Sequence, residues 1–468
     1  MLLPIFYDNL KIDSFLVILK QNCSMFRPRN FFLLVFFGFS GFIVQGQSAE
    51  WQIHSRNSKI RIPFEQINNL VVFSLELNGL KRNFIFDSGV RKTLVFYEED
   101  LQNFDPSKAE KISIQGLGGA AELIGFRSKG NQLRYKKLSV QNFEVLWINA
   151  AHFEFSKRMG LAIGGIIGVD FLRNFRVTLD YRRKQLVLEP FSRPLKAPKK
   201  SRKYPLSFIH EKPFIPIDVE LGGGDKYQGI ALMDSGSSDA LWLFEGQQHM
   251  IAQPPYFRDF LGRGITGDVY GKRGKVKRLN LAGMALEEVK VAYPDTTYFG
   301  STNFNGNRLG SIGGELLSRF WICWDYAQNA VYLKERRNIN APFYYNLSGL
   351  EIQYSSLALV RERVYPELSS GNENGSGFEG KQIFLQPRYT YKLRPLVEIS
   401  EVRLGSPAAD AGILAGDILV RINGKPSEKM KLSEVNALLQ QKPGRRIQLV
   451  LRRKFREFKV QIRLREAF

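Results

Sequence analysis

The fold is decided by a short stretch, Ala231-Leu232-Met233-Asp234-Ser235-Gly236-Ser237-Ser238, which recurs in altered form as Phe84-Ile85-Phe86-Asp87-Ser88-Gly89. In each copy a carboxylate ends an apolar run. A given tripeptide is expected by chance on the order of 0.1 times in a chain of this length. One copy alone is typical of a strand that ends in a tight turn, but two copies in similar surroundings indicate a duplicated site.

The residues before each copy predict a β-hairpin. Apolar and polar positions alternate from Val71 to Leu77, and Asn78-Gly79 is a hairpin turn signal before the run that ends at Asp87. The same order returns at Phe214 to Leu221, followed by a glycine-rich turn and a second run into Asp234. Both carboxylates are therefore predicted at the end of a hairpin's return strand.

A second repeat closes each half. The segment from Gly165 to Phe175, with Asp180 beyond it, corresponds to the segment from Gly310 to Phe320 and Asp325, at a separation of 145 positions. Asp87 and Asp234 are 147 apart, so the register holds over the whole half. We infer an internal duplication. The two lobes of about 140 residues are joined by a basic linker near Pro194 to Pro205, and Asp180 and Asp325 take structural roles.

Composition favours a globular chain of two or three domains, with 44% hydrophobic and 13% aromatic residues in 468 and a formal net charge of +22. The basic residues are dispersed and no nucleic-acid-binding signature accompanies them, which argues against a nucleic-acid partner. Weak attraction to an anionic membrane surface stays open.

The N-terminus predicts an export signal. Arg27-Pro28-Arg29 precedes an uncharged apolar run from Phe31 to Val44, and small residues suited to cleavage follow. This run is too short for a standard spanning helix. We expect translation to begin at Met25 and residues 1–46 to be an upstream extension and signal peptide. The protein would then be periplasmic or secreted, with an uncleaved N-terminal anchor as the alternative.

Cys23 and Cys323 are the two cysteines. Cys23 precedes the expected start, so the mature chain would hold one thiol and no internal disulfide. No Cys/His cluster has metal-ligand spacing, and neither a metal nor another cofactor is predicted.

The two halves resemble the pepsin and retropepsin superfamily of aspartic peptidases over roughly residues 60–335, on the paired Asp-Ser-Gly motifs and on Ile167-Gly168 and Ile312-Gly313. The resemblance implies a mainly β fold, with two duplicated lobes that form a pair of double-psi or pepsin-like barrels. It implies that Asp87 and Asp234 are the catalytic pair. The residues that support them are Ser88, Gly89, Ser235 and Gly236.

The chemistry of such a pair follows from its charges. Two carboxylates about 3 Å apart do not both ionise easily, so one keeps a proton while the other activates a water molecule. A glycine-rich hairpin that closes over the cleft would exclude bulk water. Our candidates are Gly116 to Phe126, with Gly116, Gly118 and Gly119, and its counterpart Gly264 to Tyr270, with Gly264 and Gly267.

One departure from the family pattern concerns Asp87. Val90-Arg91-Lys92 follow its motif, where the family usually has small or hydroxyl residues. Two cations beside Asp87 would favour its charged form and disturb the shared proton. A catalytically inactive, peptide-binding double lobe is therefore the alternative to an enzyme.

The C-terminal part resembles a PDZ domain of the bacterial kind, on Ser406 to Ile413, Gly416-Asp417-Ile418 and Ile422-Asn423-Gly424. A short serine-capped helix, a helix from Lys431 to Gln441 and two final strands are predicted here. The resemblance implies that a C-terminal peptide tail binds by strand addition. Our candidate for its carboxylate loop comprises Ser348, Gly349 and Leu350, and a closed groove that serves only docking is the alternative.

We therefore expect an upstream segment, a first lobe at 47–195, a second lobe at 196–340 and a PDZ domain at 341–468 with a long insertion near 355–392. The predicted function is that of an exported, monomeric aspartic endopeptidase that acts on peptide or protein substrates. A scaffold that docks partners through the PDZ domain is the third alternative.

Overall fold

The computed structural model describes residues 49–53, 59–98, 104–114, 116, 118, 123–150, 155–299, 307–364 and 388–467. The described residues lie in one compact unit, Ser48–Phe468. Residues 1–47, which include the predicted export signal and Cys23, lie outside the described residues, as does Gly119. No helix in the described part of the chain is long and apolar enough to cross a membrane.

The described residues are mainly in strands, which agrees with the expected fold class. The strands are β1 (Glu50–Ile53), β2 (Ile60–Ile67), β3 (Leu70–Leu77), β4 (Leu80–Phe86), β5 (Leu94–Tyr97), β6 (Glu110–Ile114), β7 (Leu123–Tyr135), β8 (Leu138–Asn149), β9 (Gly165–Ile167), β10 (Arg176–Asp180), β11 (Gln185–Glu189), β12 (Arg202–Pro205), β13 (Ser207–Ile209), β14 (Lys212–Glu220), β15 (Lys226–Met233), β16 (Leu241–Leu243), β17 (Tyr256–Arg263), β18 (Asp268–Leu281), β19 (Met284–Pro294), β20 (Arg308–Ile312), β21 (Phe320–Asp325), β22 (Ala330–Glu335), β23 (Leu350–Val364), β24 (Arg388–Val402), β25 (Ile418–Ile422), β26 (Lys425–Pro426), β27 (Arg446–Arg453) and β28 (Arg456–Arg463).

Helices are short. The α-helices are α1 (Phe155–Met159), α2 (Val169–Leu172), α3 (Gly314–Leu317), α4 (Pro407–Asp410) and α5 (Leu432–Leu439), and 3-10 turns occur at Pro106–Lys108, Gln247–His249, Thr296–Phe299, Tyr326–Gln328 and Ser427–Lys429. The Ser406 hydroxyl caps α4 by accepting from Ala409 N–H at 3.2 Å, as its sequence predicts.

The strands form three sheets. A 14-stranded sheet has the order β12-β22-β21-β10-β11-β2-β3-β4-β9-β5-β8-β7-β6, with β1 on β8. An eight-stranded sheet has the order β13-β14-β15-β20-β16-β19-β18-β17. The six-stranded C-terminal sheet has the order β23-β24-β25-β27-β28, with β26 on β25.

Both predicted hairpins are present and lead to equivalent parallel pairings. β3 and β4 pair across the Asn78-Gly79 turn, and β14 pairs with β15. β4 then lies parallel to β9, with Phe86 opposite Ile167, and β15 lies parallel to β20, with Met233 opposite Ile312. The duplication in the sequence is thus a duplication of topology.

The two repeats share one sheet. β10 pairs with β21 so that Arg176 lies opposite Asp325, and β12, from the predicted linker, pairs with β22. The largest core cluster accordingly draws residues from both repeats, such as Phe86 and Trp324, whose rings lie 5.8 Å apart. The domain boundary near residue 195 stays a prediction.

A buried ion pair ties the repeats together at this shared sheet. Arg176 Nε donates to Asp325 Oδ2 at 2.8 Å, with 4% and 0% of the two side chains exposed. Asp325 Oδ1 also accepts from the Gln328 N–H at 3.2 Å, and Asp180 accepts from the N–H groups of Arg182 and Arg183. Both aspartates therefore fix turns and take no part in the cleft.

The predicted insertion near 355–392 begins and ends as strand. β23 and β24 stay paired from Leu350 opposite Val402 to Val364 opposite Arg388. After Ile352 on β23 and before Val397 on β24, the described side chains are half-buried or exposed, so the strand pair continues beyond the core of the sheet. Residues 365–387 lie outside the described ranges.

We expect Asp325→Ala to destabilise the protein by about 3–5 kcal/mol, because the buried Arg176 guanidinium loses its counter-charge. Urea unfolding followed by tryptophan fluorescence measures the loss. The control is Asp218→Ala, an exposed aspartate on β14. Equal effects of the two substitutions would contradict a structural role for the buried pair.

Candidate active site

The two predicted catalytic aspartates stand at equivalent ends of strands. Asp87 follows β4, and its N–H donates to the Ile167 carbonyl at 3.1 Å. Asp234 follows β15, and its N–H donates to the Ile312 carbonyl at 2.8 Å. The backbone of each aspartate is thus hydrogen-bonded to the closing repeat of its own half. The same bond occurs in both halves, which agrees with the nearly constant spacing of the repeats in the sequence.

The serines that follow the aspartates cross-link the two halves. Ser88 N–H donates to Ser235 Oγ at 3.0 Å, and Ser235 N–H donates to Ser88 Oγ at 3.1 Å. Each hydroxyl then donates to a carbonyl of the other half, Ser88 to Met233 at 2.5 Å and Ser235 to Phe86 at 3.1 Å. Both serines are buried, and these reciprocal hydrogen bonds give the N–H and the hydroxyl of each serine a partner.

The glycines of the motifs allow the carboxylates to approach. Gly89 N–H donates to Asp87 Oδ1 at 2.6 Å, and Gly236 N–H donates to Asp234 Oδ1 at 3.1 Å. A Cβ atom on Gly89 would lie 2.7 Å from Asp234 Oδ1, and one on Gly236 would collide with the carboxylate of Asp87. Each carboxylate therefore lies against the glycine of the opposite motif, and the side chains of Asp87 and Asp234 face each other across the cleft.

Burial and mutual repulsion favour one shared proton. Burial, and then the charge of Asp234, raise the pKa of Asp87 to about 7. Burial also raises the pKa of Asp234, while the charges of Lys212 and Arg308 oppose that rise. Such a pair titrates as a unit, and below about pH 7 it holds one proton or more.

Lys212 is a residue of this site that sequence reasoning missed. It begins β14 and lines the same cavity as Asp87 and Asp234, and within the described residues its ammonium has no hydrogen-bond or ion-pair partner. Burial lowers the pKa of Lys212, and the two aspartates raise it. Nothing in the sequence marks this lysine, since it lies 22 positions before Asp234 and only the fold turns it into the cleft.

Arg91 and Lys92 do not play the part expected of them. Arg91 pairs with Glu211 at 3.4 Å, and Lys92 pairs with Glu144 at 2.8 Å. Because carboxylate partners hold both side chains, the cation that most affects the pKa of Asp87 is Lys212. A cation does affect the pKa of Asp87, as expected, but it is Lys212 and not Arg91 or Lys92.

The two predicted flaps meet at their tips. The hairpin β6–β7 carries Gly116 and Gly118, and the hairpin β17–β18 carries Gly264 and Gly267. Gly118 and Gly267 are in direct backbone contact, with φ of +122° and +151°, and a Cβ on Gly118 would overlap Gly267. The Thr266 hydroxyl also donates to the Gly116 carbonyl at 3.0 Å.

These flap tips help to enclose one cavity of about 1260 Å³, which both aspartates line. Its wall includes Gly116, Gly262, Gly264 and Ile265 from the flaps. Across the described ranges, no group of three His, Cys, Asp or Glu side chains is placed to hold a metal ion. The cavity is large enough for an extended peptide.

The predicted carboxylate loop leads into β23. Gly349 has a φ of +77°, and Leu350 begins the strand. Ala408 N–H, from α4, donates to the Ser348 carbonyl at 3.2 Å. The loop therefore lies between α4 and the start of β23, and its role as a carboxylate-binding loop stays a prediction.

Residues 73–171 match the model of the aspartyl protease family, and residues 398–453 match the model of the PDZ domain. Each match covers part of the chain, which therefore carries a segment similar to the aspartyl protease family and a segment similar to the PDZ domain. The first match contains the Asp87 motif, including the unusual Val90-Arg91-Lys92. The aspartic proteinase from Irpex lacteus is 11% identical with a TM-score of 0.39, over 61% of this chain and 99% of that chain. No curated protein matches the chain.

We expect Gly236→Ala to destabilise the protein by about 1–3 kcal/mol, because the added methyl group overlaps the Asp87 carboxylate. A lower thermal unfolding midpoint would show the cost. Gly222→Ala is the matched control, since a Cβ there meets nothing within 4 Å. Equal midpoints for the two variants would contradict the close approach of the two motifs.

We expect Lys212→Met to raise both pKa values of the aspartate pair, because the ammonium favours the anionic forms. The protonated partner then persists to higher pH, and both limbs of the profile of kcat/KM against pH move upward by about one unit. Lys226→Met, at an exposed position on β15, is the control. A profile that stays in place would remove Lys212 from the site's electrostatics.

Proposed function

We propose that this protein is an exported aspartic endopeptidase that hydrolyses peptide bonds of peptide or protein substrates. One observation carries the proposal: Asp87, which is buried, and Asp234, which is half-buried, each lie against the other's glycine and line one cavity whose wall includes two hairpins that touch. The match of residues 73–171 to the aspartyl protease family supports the same chemistry.

The geometry supports a metal-free addition of water. The anionic carboxylate of the pair removes a proton from a water molecule as its oxygen bonds to the amide carbon, and the protonated carboxyl donates its proton to the carbonyl oxygen. As the tetrahedral intermediate collapses, one of its hydroxyl groups returns a proton to the pair, the C–N bond breaks, and the leaving nitrogen takes a proton from the pair. One proton is thus held by the pair before and after the cycle.

The cations beside the pair make its two members unequal. Arg308 interacts with Asp234, and burial lowers the pKa of Arg308 to about 10. A second cation at Asp234 favours its anionic form, so the shared proton is favoured on Asp87. Asp234 is then the base toward water and Asp87 the acid toward the carbonyl oxygen.

Export is the second part of the proposal, and it rests on the basic and apolar N-terminal segment alone. A monomer fits an enzyme whose two halves already lie in one chain. A chain that retains the apolar segment as an anchor would carry the same site at a membrane surface.

An inactive, peptide-binding double lobe is a second candidate, and Lys212 favours it. The Lys212 ammonium beside the aspartates stabilises the state in which both are charged, and that state lacks the proton needed for catalysis. Both candidates bind an extended peptide in the same cavity, so only turnover separates them.

Asp87→Asn and Asp234→Asn decide between the two candidates. Purified protein is assayed on an unfolded protein substrate from pH 3 to 8, and we expect each substitution to reduce kcat by at least about 100-fold. Asp218→Asn, at an exposed position, serves as the control. Turnover that survives either substitution would exclude the shared-water mechanism, and peptide binding without turnover at any pH would favour the inactive double lobe.

A further inference from the structure

One face of the PDZ domain forms part of the wall of the protease cavity. The cavity that Asp87 and Asp234 line is also lined by Glu351 and Ile352 of β23 and by four residues of one α5 face and its end, namely Ser433, Asn436, Ala437 and Gln440. We call these six residues the β23–α5 surface. A peptide in the cleft therefore reaches a second protein surface without leaving the cavity.

β23 has an edge that can accept another strand. Within the described residues it pairs with β24 alone and ends the order of the C-terminal sheet. α5 lies beside it, since Leu432 N–H donates to the Tyr354 hydroxyl at 3.2 Å. α1 packs against part of β23, and the cavity-lining part of the strand at Glu351 and Ile352 has no second strand partner among the described residues. A strand edge of this kind beside a helix is a surface on which an extended peptide can add by backbone hydrogen bonds.

The loop that would hold a terminal carboxylate is already filled. Ser348 and Gly349 N–H groups both donate to Asn346 Oδ1, at 3.2 and 3.1 Å, and Leu350 N–H donates to Ser348 Oγ at 3.2 Å. These are the three amides expected to bind a chain end. An incoming carboxylate would have to displace the chain's own oxygen atoms from them.

The Asn346 side chain is fixed in this position. Its Nδ2 donates to the Leu350 carbonyl at 2.7 Å and to Glu351 Oε1 at 3.2 Å, while the Ser348 hydroxyl donates to Asn346 Oδ1 at 2.8 Å. An acidic side chain therefore lies beside the loop, where a terminal carboxylate would need donors. The loop and its surroundings favour a ligand that brings no free chain end.

Packing against the first lobe holds the PDZ domain in place. A Cβ on Gly160, just after α1, would lie 2.8 Å from Leu432 Cβ and 3.2 Å from Tyr354 Cε2. Asn436 Nδ2 also donates to Asn68 Oδ1 at 3.4 Å, and the Tyr270 hydroxyl of a flap strand donates to Glu401 Oε1 at 3.0 Å. The β23–α5 surface is thus presented to the cavity in a set position.

We propose that the β23–α5 surface binds an internal, extended segment of the same substrate chain that the aspartate pair cleaves, and that it requires no free C-terminus. The inference rests on the proposed function and adds its substrate class, namely unfolded or looped segments within a chain. The small and uncharged polar side chains of the α5 face suit a segment of varied sequence, which the strand edge would hold by its backbone.

The test measures binding to full-length Asp234→Asn, so that no cleavage is needed. A library of random decapeptides is displayed in two formats, once with free C-termini and once followed by a constant hydrophilic tail. Selected sequences are then made as matched peptides that end in a carboxylate or a carboxamide. We expect enrichment in both formats and dissociation constants within about twofold for each matched pair.

Substitutions locate the binding. Ala437→Glu places a charge on the α5 face, and we expect it to weaken binding by about tenfold. Gln448→Glu places the same charge on an exposed position of β27 and should change nothing. Asn346→Gly removes the side chain that fills the loop, and we expect this variant to prefer the carboxylate peptide by about fivefold or more.

Three results would overturn the inference. They are a carboxylate peptide that binds the chain with Asn346 in place about tenfold better than its carboxamide, equal binding by the Ala437→Glu and Gln448→Glu variants, or no enrichment in either format. The matched-peptide comparison needs no change at the loop, so it stands even if Asn346→Gly fails to fold. Binding without turnover by the unsubstituted chain would instead count against the proposed peptidase alone.

Discussion

The crossed hydrogen bonds between Ser88 and Ser235 are the constraint on which the site depends. Two carboxylates held close together in a cleft repel each other and lose hydration, so they stay together only if the backbone segments that carry them cannot separate. Each serine meets this need by bonding to the N–H and carbonyl groups of the opposite half. The shared sheet, the buried Arg176–Asp325 pair and the parallel pairings behind each aspartate hold these serines in place.

Much of this arrangement could be predicted from the sequence, because duplication leaves a readable register. The paired Asp-Ser-Gly motifs and the closing repeats predicted the duplication, and the residues before each motif predicted the hairpins. The family resemblance carried by these motifs implied the mainly β fold and the pairing of Asp87 and Asp234. The glycine-rich segments predicted two hairpins over the cleft, and these meet at Gly118 and Gly267, where backbone contact leaves no room for side chains. Their role as flaps stays a prediction. Features of this kind depend on residue types and on their spacing along the chain, and both can be read from the sequence.

What could not be predicted depends on side-chain direction across distant elements. In the sequence, Lys212 is an ordinary lysine at the start of a strand, and only the position of β14 in the fold places it in the cavity with the aspartates. Arg91 and Lys92 lie close to Asp87 in the sequence, but they form ion pairs with Glu211 and Glu144. The same limit applies to Asn346, whose capture of the loop amides depends on how the PDZ domain folds back on itself. Proximity in sequence is a poor guide to electrostatic partners.

Carrying both halves in one chain has a consequence that a pair of identical subunits would not share. Two copies related by strict rotational symmetry must give each aspartate the same neighbours, and the proton then has two equal positions. Here Lys212 and Arg308 both come from the second half, so the two aspartates have different charged neighbours although the backbones around them are equivalent. A substitution near one aspartate is therefore not repeated near the other, so the surroundings of the two can differ.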